Sequence, residues 1–160
     1  MLYGQDRGAL PVAKGQQSGR GRADMIGVLI VTHGNLGAEM IKASELIKGS
    51  LEGIIPVSVD QTKGVEEVKK EINSALKKLD KGKGVLVLTD LFGGTPSNIS
   101  LSFMKPGKVE VLTGVNLPML LKIQDKRSDM DLNDFSHYIK DYGRKNISLA
   151  SEILNKKVGG

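Results

Sequence analysis

The residues best placed to do chemistry in this 160-residue chain are a histidine and an aspartate that each follow a short apolar run. His33 lies in Thr32-His33-Gly34-Asn35, directly after Ile26 to Val31 (IGVLIV). Asp90 follows Val85 to Thr89 (VLVLT) and opens the stretch Asp90-Leu91-Phe92-Gly93-Gly94-Thr95-Pro96-Ser97-Asn98. A carboxylate beside an imidazole accepts a hydrogen bond from one ring N–H and fixes the tautomer. The other ring nitrogen is left with its lone pair facing out, ready to attack. The carboxylate also stabilises positive charge that develops on the ring. Sequence does not assign the two nitrogens; the expected arrangement is Nδ1–H toward Asp90 and Nε2 as nucleophile.

The residues after Asp90 suit an anion. Gly93 and Gly94 lack Cβ, so their backbone N–H groups can come close to one. Thr95 is a candidate N-cap and Pro96 a favoured first helical residue. The positive end of the helix they open would point at the same place, and the Thr95 hydroxyl adds a donor. Such a cradle holds a phosphoryl group without Lys, Arg or metal, so no metal and no cofactor are expected. No Gly-Lys-Ser/Thr follows, so this is not a Walker loop. Thr32 and Asn116 are further candidates for the lining of the crevice. Each piece has a plainer reading: a polar loop histidine, a capping aspartate, a tight turn before a helix. Their convergence on one crevice is what favours chemistry. The other histidine, His137, lies near Phe135 and Tyr138 in a helical pattern and reads as a partly exposed structural residue.

The elements that must position these residues alternate along the chain. Strand-like runs cover Ile26 to Val31, Ile54 to Val59, Val85 to Thr89 and Lys108 to Leu112. They are β-branched and continuous, as strands buried on both faces are. Helical spacing covers Leu36 to Lys48, Val65 to Leu79, Pro96 to Met104 and Leu117 to Ile123. Leu132 to Leu154 is mostly helical by pattern. Tyr142-Gly143-Arg144 is expected to end or bend that helix, and the Ile147/Leu149 alternation leaves room for a strand. Strand–helix alternation predicts an α/β fold, a doubly wound and mostly parallel sheet. With flavodoxin-like order the first and third strands are neighbours, and ligands bind at the carboxyl ends where the order reverses. His33 and Asp90 then emerge side by side.

Composition narrows the function further. Apolar residues make up 39% of the chain, enough for a core at this length. With no cysteine, disulfides and thiolate metal sites are excluded. No apolar run approaches the roughly 20 residues of a membrane helix, and the N-terminus lacks the apolar core of a signal peptide. The net charge of +5 is scattered and aromatics are 4%, which disfavours a nucleic-acid surface. Residues 1–24 are rich in Gly, Arg, Gln and Ser without helical or strand period. They read as a disordered extension (a tag, a linker or an upstream start) ahead of a single domain over 25–160.

Three segments carry a resemblance: Ile26 to Gly34 (IGVLIVTHG), Gly84 to Asn98 (GVLVLTDLFGGTPSN) and Gly114 to Leu120 (GVNLPML). Through them the chain resembles the IIA proteins of the mannose, fructose and sorbose class of the phosphoenolpyruvate-dependent sugar phosphotransferase system. The pairing of Thr-His-Gly with Asp-x-x-Gly-Gly-x-Pro is the specific part. The resemblance implies a phosphotransferase that takes a phosphoryl group onto Nε2 of His33, with Asp90 as the carboxylate partner and Thr95 as the hydroxyl residue near the group. The implied donor is the histidine-containing phosphocarrier protein. The implied acceptor is a IIB component, which serves a membrane sugar permease complex. It further implies a cytoplasmic location beside the membrane transporter, and a homodimer with an antiparallel strand exchanged between subunits. Two other readings stay open. The phosphocarrier subunit of dihydroxyacetone kinase has a similar fold and histidine, but its family lacks the Gly-Gly-x-Pro turn. A non-catalytic regulatory module would keep the anion cradle and not need His33. A hydrolase would need a nucleophile from elsewhere, since no Gly-x-Ser-x-Gly is present.

Overall fold

The computed structural model describes residues 24–158, with side chains through 156. The extension expected over 1–24 lies, apart from Asp24, outside the described residues. Four strands, β1 (Gly27–His33), β2 (Ile54–Val59), β3 (Val85–Thr89) and β4 (Val109–Thr113), alternate with helices α1 (Leu36–Lys48), α2 (Val65–Leu79), α3 (Thr95–Leu101) and α4 (Leu117–Ile123). Two further helices follow, α5 (Leu132–Lys145) and α6 (Ala150–Val158). The sheet is parallel throughout, in the order β2-β1-β3-β4. The neighbours of β1 are therefore β2 and β3, and the order reverses there.

Side-chain parity along the strands builds two cores. Leu29 and Val31 of β1, with Val85 and Val87 of β3, face α2 and α3 and pack on Val68, Ile72, Leu76, Leu79 and Ile99. Val28 and Ile30, with Leu86 and Leu88, face the other way onto Met119, Leu120, Ile123, Leu132, Phe135 and Ile139. Successive strand residues point to opposite faces, so a strand covered on both faces must be apolar at every position. That is why IGVLIV and VLVLT show no polar alternation. Each of these side chains contributes about 1.5–3 kcal/mol by leaving water.

Three expectations about element ends need correction. The helix after β3 starts at Thr95 with Gly94 as its N-cap, so Thr95 is the first helical residue and Pro96 the second. It ends at Leu101, and the chain turns through Ser102 and Phe103. The long C-terminal pattern is two helices, separated at 146–149 where Asn146 caps α5. Gly143 does not end α5, which runs on to Lys145. It is buried inside the helix, and a Cβ there would stand 2.2 Å from the Met119 methyl and 2.8 Å from its Cγ. The glycine exists so that α4 can lie against α5.

Candidate functional site

His33 is the last residue of β1, and Asp90 is the first residue after β3. Because β1 and β3 pair in parallel, both leave the sheet at the same end. The Asp90 carboxylate is tied down before it meets the imidazole. Its Oδ2 accepts the His33 backbone N–H at 3.0 Å, and its Oδ1 accepts the Leu91 N–H at 3.0 Å. The same Oδ2 lies 2.7 Å from His33 Nδ1. An ionised carboxylate only accepts, so Nδ1 carries the proton and Nε2 holds the lone pair of the neutral ring. Burial pushes the Asp90 pKa up, but the hydrogen bonds from His33 and Leu91 outweigh it and leave the pKa below the usual aspartate value. The carboxylate is nearly covered, at 10% exposed, whereas the imidazole is 50% exposed.

Gly94 packs against that ring. A Cβ on it would stand 2.9 Å from His33 Cε1 and 3.5 Å from Nε2, so any side chain here would push the imidazole aside. Gly93, at φ +84°, makes the turn that brings Gly94 in. Its N–H already donates to the Ser97 hydroxyl at 3.0 Å, which in turn donates to the Gly94 carbonyl. The N–H groups of Gly94, Thr95 and Ser97 find no acceptor among the described residues. Such unsatisfied donors are what a helix start leaves over. A cleft of about 270 Å3 opens beside Thr95, lined also by His33 and Ile99, by Val59 at the end of β2, by Asp60, Gln61 and Lys63 of the following loop, and by Val65 at the start of α2.

The structure therefore brings His33, Asp90, Gly94 and Thr95 together, with Gly93 as their turn. Two other expected crevice residues are elsewhere. Thr32 points to the opposite face from His33 by parity; its hydroxyl is buried and accepts the Gly37 N–H of α1 at 2.9 Å. Asn116 caps α4, accepting the Met119 N–H through Oδ1 and donating to the Gly143 carbonyl through Nδ2. His137 is exposed on α5, with Nδ1 2.9 Å from the Asn133 carbonyl. Sequence reasoning missed the loop 60–63. The signal was available, because β2 is the other neighbour of β1 and its carboxyl end must flank His33. No group of three or more potential ligands able to hold a metal is present among the described residues.

The fold and site define a class of α/β protein with a carboxylate-held imidazole at the switch point of a parallel sheet, next to the unbonded N–H groups of a helix start. Comparison with known sequences makes that class specific. Residues 27–140 match the family model described as the PTS system fructose IIA component. The fructose-specific EIIA component of Bacillus subtilis is 32% identical over 82% of this chain and 91% of its own. The mannose-specific EIIAB component of Escherichia coli is 33% identical over 65% of this chain, which spans 32% of that longer protein. The crystal structure of the phosphotransferase component EIIA from Streptococcus agalactiae superposes with a TM-score of 0.72 at 28% identity, over 80% of this chain and 99% of that one. The chain belongs to the mannose, fructose and sorbose family of phosphotransferase-system IIA components, the phosphoryl relays of sugar uptake. At the level of the family, IIA components receive the group from the histidine phosphocarrier protein and hand it to IIB.

Proposed function

We propose that the relay step runs through a phosphohistidine at His33. The observation that carries this reading is the 2.7 Å contact from Nδ1 to a carboxylate held by two backbone donors, which leaves Nε2 as the free nucleophile. The phosphorus–nitrogen bond to the donor's imidazole breaks and its electron pair returns to that ring. The lone pair of His33 Nε2 forms the new bond, and the Nδ1 proton stays in place. Transfer of this kind passes through a loose transition state, so positioning and charge stabilisation dominate. Asp90 orients the ring and balances its positive charge once phosphorylated. The N–H groups of Gly94 and Thr95, with the Thr95 hydroxyl, receive the phosphoryl oxygens, while Gly93 shapes the turn. Thr32 and Asn116 hold α1 and α4 and take no part. No metal or cofactor enters the step.

The donor of this chain is the histidine phosphocarrier protein and its acceptor a IIB component, with the membrane permease complex further along. The chain works in the cytoplasm beside that complex; among the described residues no helix is long and apolar enough to cross a membrane. It acts as a homodimer. In support, β4 is the terminal strand of the sheet among the described residues, bridged on its outer side by Lys105 at Val109, and the segment 146–149 that follows α5 carries the exposed side chains of Ile147 and Leu149. That segment is the candidate for the exchanged strand. The phosphohistidine is tested by nitrogen-15 NMR of the phosphorylated chain. Phosphorus coupling at Nε2 of His33, with the Nδ1 proton retained, is expected. Coupling at Nδ1, or on His137, contradicts the assignment.

A further inference from the structure

We propose that Lys63 is the cation of the phosphoryl site, its ammonium contacting the oxygens of the group on His33 Nε2 while Glu71 holds it in place. The inference rests on His33 being the phosphorylated residue. Lys63 is the one cation among the side chains lining the cleft that also contains His33 and Thr95. It sits in the loop between β2 and α2, and the end of β2 that leads into that loop is bound to the histidine turn. The Gly34 N–H donates to the Val59 carbonyl at 2.9 Å, and the Ser58 hydroxyl donates to the Gly34 carbonyl at 2.7 Å. Lys63 thus follows closely on a strand end that is tied to the turn carrying His33.

Its side chain is three-quarters covered and its ammonium is already oriented. Nζ donates to Glu71 at 2.8–2.9 Å and reaches the Ser58 carbonyl at 3.4 Å. An ammonium has three donors, and of the three oxygens around it the Ser58 carbonyl is the most distant, so the donor aimed there is the one a phosphoryl oxygen would take. The hydrogen bond to Glu71 raises the Lys63 pKa above its usual value, so the charge persists at any pH where transfer is run. The carboxylate that also lines the cleft, Asp60, is engaged within its own loop. Asp60 Oδ1 accepts the Thr62 N–H at 2.8 Å and the Thr62 hydroxyl, closing its own loop. Without Lys63 the cleft offers a dianionic group only backbone and hydroxyl dipoles, with Asp60 and Asp90 nearby. A charge-assisted contact is worth roughly twice a neutral one, most of all in a site with little water.

The plainer alternative is that Lys63 and Glu71 only staple the loop to α2. Three variants separate the two: Lys63→Met, Lys63→Arg and Glu71→Gln, each assayed with the phosphorylated histidine phosphocarrier as donor. Lys63→Met is expected to lower the transfer rate constant by about 10- to 100-fold, the loss of one charged contact. KM for the donor should stay within about threefold and the melting temperature close to the parent, as for an interaction made in the transition state. Lys63→Arg should recover most of the rate, and Glu71→Gln should cost less than Lys63→Met. The phosphorus-31 shift of the labelled chain should move in Lys63→Met. Parental rate and shift in Lys63→Met overturn the proposal, as does an Arg variant no better than Met. If the parent chain itself takes no label, the phosphohistidine reading has failed, and this proposal with it.

Discussion

At the scale of single residues, the site depends on one carboxylate that was bound by backbone before it was bound by the ring. Two main-chain donors and one imidazole converge on Asp90, so its anionic form is favoured in the folded chain. A depressed folded pKa contributes stability above the unfolded value, near 3.9, and that contribution is lost as pH falls through the folded pKa. Parent protein should therefore lose stability more steeply than Asp90→Asn below about pH 4, as read by urea unfolding at pH 7 and pH 3. Parallel losses in the two proteins contradict this. The same residue sets the rate: Asp90→Ala should slow transfer without abolishing it, and parental kinetics would remove Asp90 from the mechanism. Gly94→Ala should fold and yet transfer poorly, because its methyl would stand 2.9 Å from His33 Cε1. A fully active Gly94→Ala shows that the ring has room to spare. His33 and Asp90 were legible from sequence because each ends a run that only a buried strand explains. Thr32 was misread because adjacency in sequence is opposition in a strand; its parity sends it under α1.

Elements were legible where burial is continuous and illegible where one contact decides. The strands fall within a residue or two of where periodicity puts them, and α1, α2 and α4 where it puts them; α2 does so by burying Val68, Ile72, Ala75, Leu76 and Leu79, whereas α1 leaves Leu36, Leu46 and Ile47 exposed. The end of α5 does not follow from composition, because Gly143 punctuates sequences in general but here receives the Met119 side chain. Gly143→Ala should accordingly lower stability by about 1–3 kcal/mol despite the better helix propensity of alanine. The loss should shrink in a Met119→Ala background, where the obstructing atoms are gone. Equal losses in both backgrounds would place the cost elsewhere. The loop from β2 to α2 shows the converse. Nothing in Asp60-Gln61-Thr62-Lys63 has a periodic signature, and only its position at a strand's carboxyl end marks it for the site.

For the whole molecule, one parallel sheet with two covering layers explains why the reacting groups need no dedicated domain. The reversal of strand order between β2-β1 and β3-β4 creates the crevice, and the ends of β1, β2 and β3 supply its residues. Strand order came from the regularities of doubly wound sheets rather than from any residue, and assembly was invisible to periodicity altogether. Ile147, Leu149, Ile153 and Leu154 are exposed, and they are the apolar side chains that the proposed second copy would cover. Ile147→Asp with Leu149→Asp should shift the mass measured by light scattering from dimer to monomer; an unchanged mass rules out this segment as the interface. The central claim is that His33 carries the phosphoryl group, and intact-protein mass tests it most directly. The chain is incubated with phosphoenolpyruvate, enzyme I and the histidine phosphocarrier, beside His33→Ala. One acid-labile phosphoryl group on the parent and none on the variant is the predicted result. Label retained on His33→Ala, or absent from the parent while a known IIA is labelled in parallel, would contradict it.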